Sequence, residues 1–293
     1  MNDSKRKWWG YFFIAPQLIG MLAFSILPLG FAFGLSFMKW DGFGEREFVG
    51  LANYIGQFRD DNFITALVNT AYYSVLVIPL GIALALLVAL ALNKVKGKTV
   101  YRVFFFMPVV TSSVSIGVIW MWLLNGDIGL INQLLAMIGI DGPNWLTNRS
   151  LVLPSIAGLS IWWGLGTNMV IFLAGLQGIS RSYYEAADID GATSIQKFLH
   201  ITFPLLSPTT FFVAIMSVIG SFQVFDQAYV MTQGGPGKAS YTLVYHIYET
   251  AFGRSAFGPS TASAMVLFVI ILIFTLIQFS VSRRWVHYED GGK

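Results

Sequence analysis

The run NFITALVNTAYYSVLVIPLGIALALLVALALN, residues 62–93, carries no Asp, Glu, Lys or Arg and is bounded by Asp61 and Lys94. A helix needs about 20 mostly apolar residues to cross the hydrocarbon core of a bilayer, and a barrel strand about 10. This run is long enough for the first and far too long for the second. Five further charge-free intervals lie between Lys7 and Lys39, Arg102 and Asp127, Arg149 and Arg181, Lys197 and Asp226, and Arg254 and Arg283. In lipid, only helices satisfy their backbone hydrogen bonds within one segment. The expectation is an all-α polytopic integral membrane protein with six transmembrane helices. They fall near residues 10–37, 70–92, 103–124, 152–176, 206–226 and 262–281.

Composition agrees. The 293 residues are 55% hydrophobic and 11% charged, against roughly 25% charged in soluble domains. So few charges could not cover a soluble surface. The lack of cysteine excludes disulfides and Cys-ligated metal centres. His200, His246 and His287 are far apart, and no metal site is expected. Lys5, Arg6 and Lys7 precede an apolar run too long for a signal-peptide core, so a retained signal anchor is expected. Pro16 and Pro28 should kink it or mark its ends.

Twelve of the eighteen Lys and Arg residues fall in segments 1–9, 93–102, 177–205 and 282–293. The positive-inside rule makes those segments, and both termini, cytoplasmic. Trp8, Trp9, Trp40, Trp145 and Trp285 flank spans as an interfacial belt would. The chain divides into residues 1–68, residues 69–281 and a cytoplasmic tail, 282–293. The first part is one transmembrane helix and an acidic external segment. The second is a transmembrane core containing the inward loop 177–205.

That loop contains Ser182-Tyr-Tyr-Glu185-Ala186-Ala187-Asp188-Ile189-Asp190-Gly191-Ala192. Ser182 with Glu185 three residues on reads as a capping box, and Gly191 as the residue just past a helix end. The spacing predicts a short helix of about two turns, a turn at Gly191, and a second piece over 194–202 before Pro204 opens the next span. Ala186 and Ala187 keep one face narrow enough to dock into a groove on another protein, although capped helices between spans also occur without that role. Gly97-Lys98-Thr99 looks like the end of a phosphate-binding loop, but Leu92 stands where its first glycine is required. Lys94, Lys96, Lys98 and Arg102 read instead as positive-inside charge. No catalytic residue is identified.

The series Glu185-Ala186-Ala187, Asp190-Gly191-Ala192, Phe198, Ile201, Pro204 and Pro208 closely resembles the EAA loop of permease subunits of binding-protein-dependent ABC importers. Ala15-Pro16, Pro28, Ser36-Phe37, Val49-Gly50-Leu51 and Asn53-Tyr54 are similar to the carbohydrate branch related to the maltose and glycerol-phosphate permeases. So are Asn69-Thr70, Arg102 with Pro108, and Gly234-Gly235-Pro236. Ser180 stands where that family often has proline, and Phe203 where leucine is usual. The resemblance covers nearly the whole chain. It implies the type I ABC importer permease fold in a bacterial or archaeal plasma membrane. It also implies a coupling helix made with Glu185, Ala186, Ala187, Asp190 and Gly191. Glu185 would meet a basic group on an ATPase, the alanines would permit close approach, and Gly191 would make the turn. The implied partners are a second homologous permease forming a heterodimer, two ATPase subunits that use ATP and Mg, an external solute-binding protein, and membrane lipid. No cofactor on this chain, no metal and no nucleic acid are expected.

Polar residues at membrane depth mark candidate substrate contacts. On the fifth span Ser217, Ser221 and Val224 share a helical face beside Gly220. On the fourth, Trp163 and Thr167 are one turn apart, with Gly164 and Asn168 adjacent. Indole faces stack on sugar rings, and hydroxyls and amides match sugar hydroxyls. Gly and Ser also serve helix packing in membranes. Asp226, with Gln223 and Gln227, reads as a cavity-facing acid, an interfacial residue or the start of a helix. The loop 227–261, with its Gly234–Gly237 turn, is expected to meet the external binding protein. Because no Lys or Arg lies inside the spans, a neutral carbohydrate is favoured. An alditol, a glycerol-phosphate or an acidic saccharide is the alternative. An autonomous secondary transporter would need buried ionisable pairs, and an intramembrane enzyme a catalytic constellation; the spans carry neither pattern.

Overall fold

A computed structural model describes residues 3–286, with side chains from Tyr11 onward. The expectations for the side chains of Lys5, Arg6, Lys7, Trp8 and Trp9, and for His287 and Lys293, lie outside the described residues. In chain order the elements begin with α1 (Asp3–Met21), a π turn (Leu22–Ile26), α2 (Leu27–Leu35), an antiparallel pair β1 (Met38–Lys39) and β2 (Glu47–Phe48), and α3 (Ala52–Arg59). There follow α4 (Asp61–Lys94), α5 (Lys98–Val110), α6 (Ser113–Leu123), α7 (Leu130–Met137), α8 (Val152–Gly178) and α9 (Arg181–Ile189). Next come α10 (Ser194–Lys197), a second π turn (Phe198–Thr202), α11 (Phe203–Leu205), α12 (Ser207–Phe222) and α13 (Asp226–Thr232). The chain closes with α14 (Leu243–Tyr248), a third π turn (Glu249–Gly253) and α15 (Phe257–Ser282).

Tyr11–Leu35, Asp61–Lys94, Val152–Gly178 and Phe257–Ser282 are each long and apolar enough to cross a membrane. Two bent pairs bring the number of spans to six if each pair is one span: α5 with α6, bent by 97°, and Ser194–Leu205 with α12, bent by 63°. The expected continuous span over 103–124 is therefore a corner. Thr111 and Ser112 leave helical geometry, with ψ of 144° and 134°. Pro108 gives no N–H to the carbonyl of Phe104, and three hydroxyl side chains in a row, Thr111 to Ser113, compete with the helical ladder.

The other bend also differs from expectation. The helix passes through Pro204 and breaks at Leu206, ahead of Pro208. A π turn makes this possible. Phe203 N–H, one residue before Pro204, bonds to Phe198 O, five residues back. The same device precedes Pro28, where Leu27 N–H bonds to Leu22 O. A proline crowds the carbonyl four residues earlier, and the extra residue of a π turn widens the backbone at that point. Pro28 thus opens α2 within the first span, and Pro16 lies inside α1.

The described residues form two compact units. The first is drawn from Met1–Ile64 and His246–Val266. Within it, Asn53 Nδ2 donates to the carbonyls of Ser36 (2.9 Å) and Met38 (2.8 Å), and the Tyr54 and Ser36 hydroxyls bond at 2.6 Å. The Ser36-Phe37 and Asn53-Tyr54 pairs thereby fasten the end of α2 to α3. His246 is fully buried, its Nε2 2.9 Å from Gln57 Oε1, with the Phe63 ring edge-on.

The second unit is drawn from Thr65–Tyr245 and Leu267–Lys293. It holds two apolar clusters. One gathers Tyr73, Ile116, Ile156, Leu159, Val224 and Met231; the other gathers Ala85, Ala89, Met169, Phe172, Leu206 and Val213. Asn69 Nδ2 donates to the carbonyls of Lys238 (2.8 Å) and Tyr241 (3.0 Å), and Thr70 Oγ1 accepts from Leu243 N at 2.8 Å. These bonds hold the segment around Gly234–Gly237 against α4. Asn132 closes the loop after α6: it donates to the carbonyls of Gly126 and Pro143 and accepts from Trp145 Nε1 at 2.7 Å.

Helix α5 packs against α8 at Gly166, where a Cβ would overlap the Phe105 carbonyl. Backbone offers no rotamer through which to yield. Gly166→Val is expected to destabilise the protein by about 1–3 kcal/mol, read as a lowered Tm in detergent. An unchanged Tm would show that the crossing is loose.

Candidate functional site

Two features of the second unit stand out, a cavity and a hairpin. The cavity has a volume of about 500 Å³. It is walled by α4, α8, α12 and the turn leading into α13. All nine residues singled out as substrate contacts line it: Trp163, Gly164, Thr167, Asn168, Ser217, Gly220, Ser221, Val224 and Asp226.

Their chemistry is not equal. The Trp163 indole N–H donates to the carbonyl of Pro108 at 2.8 Å, which fixes the ring plane and ties it to the α5–α6 corner. Ser221 is buried and its hydroxyl donates to Val218 O at 3.0 Å, so it serves its own helix. Thr167 and Gly220 are exposed to the cavity. Asp226 is the first residue of α13, and its Oδ2 accepts from the Ser113 hydroxyl at 2.5 Å. It is thus both a cavity acid and a helix N-terminal residue, favourably placed against the helix dipole.

Sequence reasoning missed the α4 wall. Tyr73, Val77 and Gly81 line the cavity, flanking Pro79, which lies inside that helix. A proline and a glycine in the middle of a long apolar run were the available signal. The lining contains one carboxylate, Asp226, and no Lys or Arg.

The hairpin is α9, a turn, and the rising segment through Thr202. Helix α9 begins two residues earlier than the expected Ser182–Glu185 box. Ser180 is its N-cap, the side chain accepting from Ser182 N. This is the position where the resembling family often has proline, and either residue can start a helix. The reciprocal capping box lies in the next helix, between Thr193 and Gln196. Gly191 takes φ of +71°, and two bonds complete a Schellman motif: Ala192 N to Ala187 O at 2.9 Å and Gly191 N to Asp188 O at 3.1 Å.

An ion pair between Asp188 and Lys197 bridges the two arms near the tip. At the base, the Tyr184 hydroxyl bonds Thr202 Oγ1 at 2.9 Å, and Tyr184 packs on the second apolar cluster. Glu185, Ala186, Asp190 and Gly191 are exposed and Ala187 half-buried. Among the described residues Glu185 has no ion-pair partner. Ile189 is 87% and Ile195 72% exposed. Both isoleucines stand bare on an otherwise polar hairpin. The sequence reading passed over both, although apolar residues in an otherwise polar loop were visible.

The chain is similar to known proteins along nearly its whole length. Residues 78–287 match the family model described as the binding-protein-dependent transport system inner membrane component. A probable ABC transporter permease protein, YesP of Bacillus subtilis (strain 168), is 39% identical over 287 residues, covering 96% of this chain and 92% of its own length. The arabinooligosaccharides transport system permease protein AraP of the same organism is 36% identical over 277 residues, covering 93% and 88%. The sn-glycerol-3-phosphate transport system permease protein UgpA of Agrobacterium fabrum is 36% identical over 281 residues, covering 95% and 96%. A solved bacterial ABC transporter involved in the import of the acidic polysaccharide alginate superposes with a TM-score of 0.84 at 25% identity, covering 96% and 97%.

Proposed function

From the premise that this chain belongs to the family of binding-protein-dependent transport system inner membrane components, we propose that its cavity is one wall of a carbohydrate pathway and that its 181–202 hairpin receives the stroke of separate ATPase subunits. The chain is a multi-pass permease subunit of a sugar ABC importer. The observation that carries the pathway reading is the convergence of Trp163, Thr167, Asn168, Ser217 and Asp226, from two spans and a turn, on one cavity. An indole face, a hydroxyl, an amide and a carboxylate are the groups that recognise a polyol ring. The absence of Lys and Arg from the lining supports a neutral carbohydrate over a phosphorylated or acidic one.

In this reading a second permease completes the pathway, and two ATPase subunits bind ATP and Mg, none of which this chain holds. Closure of the ATPases drives the hairpins, and the spans open toward an external solute-binding protein carrying the sugar. The element is two-state and is biased from both ends. Residues 69–281 form the core of this machine, residues 1–68 an accessory unit and residues 282–293 a cytoplasmic tail. Both termini and the hairpin lie in the cytoplasm of a bacterial or archaeal cell, an orientation supported by the distribution of Lys and Arg.

The chain has no cysteine, so Ile189→Cys places a lone thiol on the hairpin tip. A membrane-impermeant maleimide should label it in inside-out vesicles, with protection when the ATPase is bound, and leave intact spheroplasts unlabelled. Labelling from outside the cell would put the hairpin out of an ATPase's reach and end the proposal.

A further inference from the structure

We propose that the root of the hairpin is a binding site for the phosphate of an anionic phospholipid, held by Lys98 and Arg181. A cavity of about 390 Å³ lies there, lined by Asn93, Lys98, Gln177, Arg181 and Tyr184 over a buried apolar floor of Leu176 and Ile179. A neighbouring cavity of about 280 Å³ shares Asn93, Leu176 and Tyr184 with it and adds Lys94.

No carboxylate lines either cavity. Among the described residues Lys94, Lys98 and Arg181 form no ion pair. The one cation of this region that is neutralised is Lys197, by Asp188. Lys94 sits in the last turn of α4, where a cation suits the carbonyl end of a helix. Lys98 and Arg181 do not have that excuse. Each is the first residue of its helix, α5 and α9, and neither helix has an acid in its first turn. Two cations therefore meet two positive helix ends around one hollow. An anion in the hollow relieves all of these at once.

The apolar floor and the position decide what kind of anion. The hollow lies where α4 and α8, two helices long and apolar enough to span the bilayer, both end. A free phosphate gains nothing from Leu176 and Ile179. The glycerol and first methylenes of a lipid do, and basic pockets between spans at the cytoplasmic face are suited to such head groups. A lipid seated there would fix the root of α9 to the leaflet. The site stands independently of the substrate reading, since the cavity that faces the sugar shares none of these residues.

The assembled transporter, in detergent with equal phosphatidylglycerol and phosphatidylcholine, is examined by native mass spectrometry. Wild type should retain phosphatidylglycerol selectively. Lys98→Gln with Arg181→Gln should reduce retention roughly thirtyfold, about fivefold per cation, with all subunits still present. The swap Lys98→Arg with Arg181→Lys should keep it. If the double variant fails to assemble, each single variant is read against the fivefold loss. Equal retention of both lipids, or undiminished retention by the variants, overturns the proposal. So does binding of inorganic phosphate to delipidated wild type with the same dependence on Lys98 and Arg181, because the site would then serve a soluble anion. Loss of a partner subunit with lipid retained also overturns it, by assigning the cations to an acidic surface on that partner.

Discussion

Gly191→Pro should abolish uptake by the assembled importer, and Gly191→Asn should preserve most of it. Gly191 sits at φ +71°, and nothing lies within 4 Å of the Cβ a larger residue would add. The constraint is purely one of backbone conformation. A side-chain-bearing residue in the left-handed region is strained by about 1–2 kcal/mol, with Asn among the least affected. Proline cannot adopt that φ at all, and it deletes the N–H that bonds Asp188 O. The Schellman turn then opens, and α9 no longer stands at a fixed angle to the arm that runs through Lys197 and Thr202. On the proposed coupling role, a hairpin without a fixed tip transmits no stroke. The expected signature is ATP hydrolysis that no longer responds to the loaded binding protein, or a permease that fails to retain its ATPases. Glu185→Ala should move the same readouts more mildly, because it removes one contact and leaves the turn intact. Normal uptake by both Gly191→Pro and Glu185→Ala would remove the hairpin from the coupling path.

The second large effect is expected at Gly220. It lines the 500 Å³ cavity, and a Cβ there meets nothing within 4 Å. The Cβ of Gly220→Trp therefore meets no packing conflict, and on the proposed pathway its ring occupies the space the solute needs. Because a pocket must enclose most of a bound ligand's surface, uptake should fall by roughly tenfold or more, with Tm and subunit assembly unchanged. Gly220→Ala should behave as wild type. Gly164, on α8 and equally open, offers an independent repeat with Gly164→Phe. Full-speed uptake by both bulky variants would show that solute passes elsewhere.

The spans were legible because a charge is expensive in lipid, so uninterrupted apolar runs betray themselves. What charge counting could not detect is a change of direction within a run. The α5–α6 corner lies wholly inside the interval between Arg102 and Asp127; only Pro108 and the Thr111–Ser113 hydroxyls marked it. The span expected over 70–92 lies within a longer helix, whose geometry runs back to Asp61. The hairpin was legible at Gly191, since few residues accept positive φ. It was misread at Ser182, because Ser180 two residues earlier is an equally good cap and local sequence does not rank the two. The cavity residues on α8 and α12 followed from i, i+4 spacing. Tyr73 was hidden among neighbouring apolar residues, because which face of α4 turns inward depends on tertiary packing.

The length of α4 has a consequence of its own. Its 34 residues make a rod of about 51 Å, and the hydrocarbon layer is about 30 Å thick. Even at a tilt of about 40°, the steep end of the usual range, the rod's projection is about 39 Å. Some of it must therefore stand clear of the hydrocarbon, and Asn69, toward its N-terminal end, grips the carbonyls of Lys238 and Tyr241. The glycine-rich turn is thus fastened to a helix rather than to the lipid surface, and its place on the protein stays the same in thin and thick membranes.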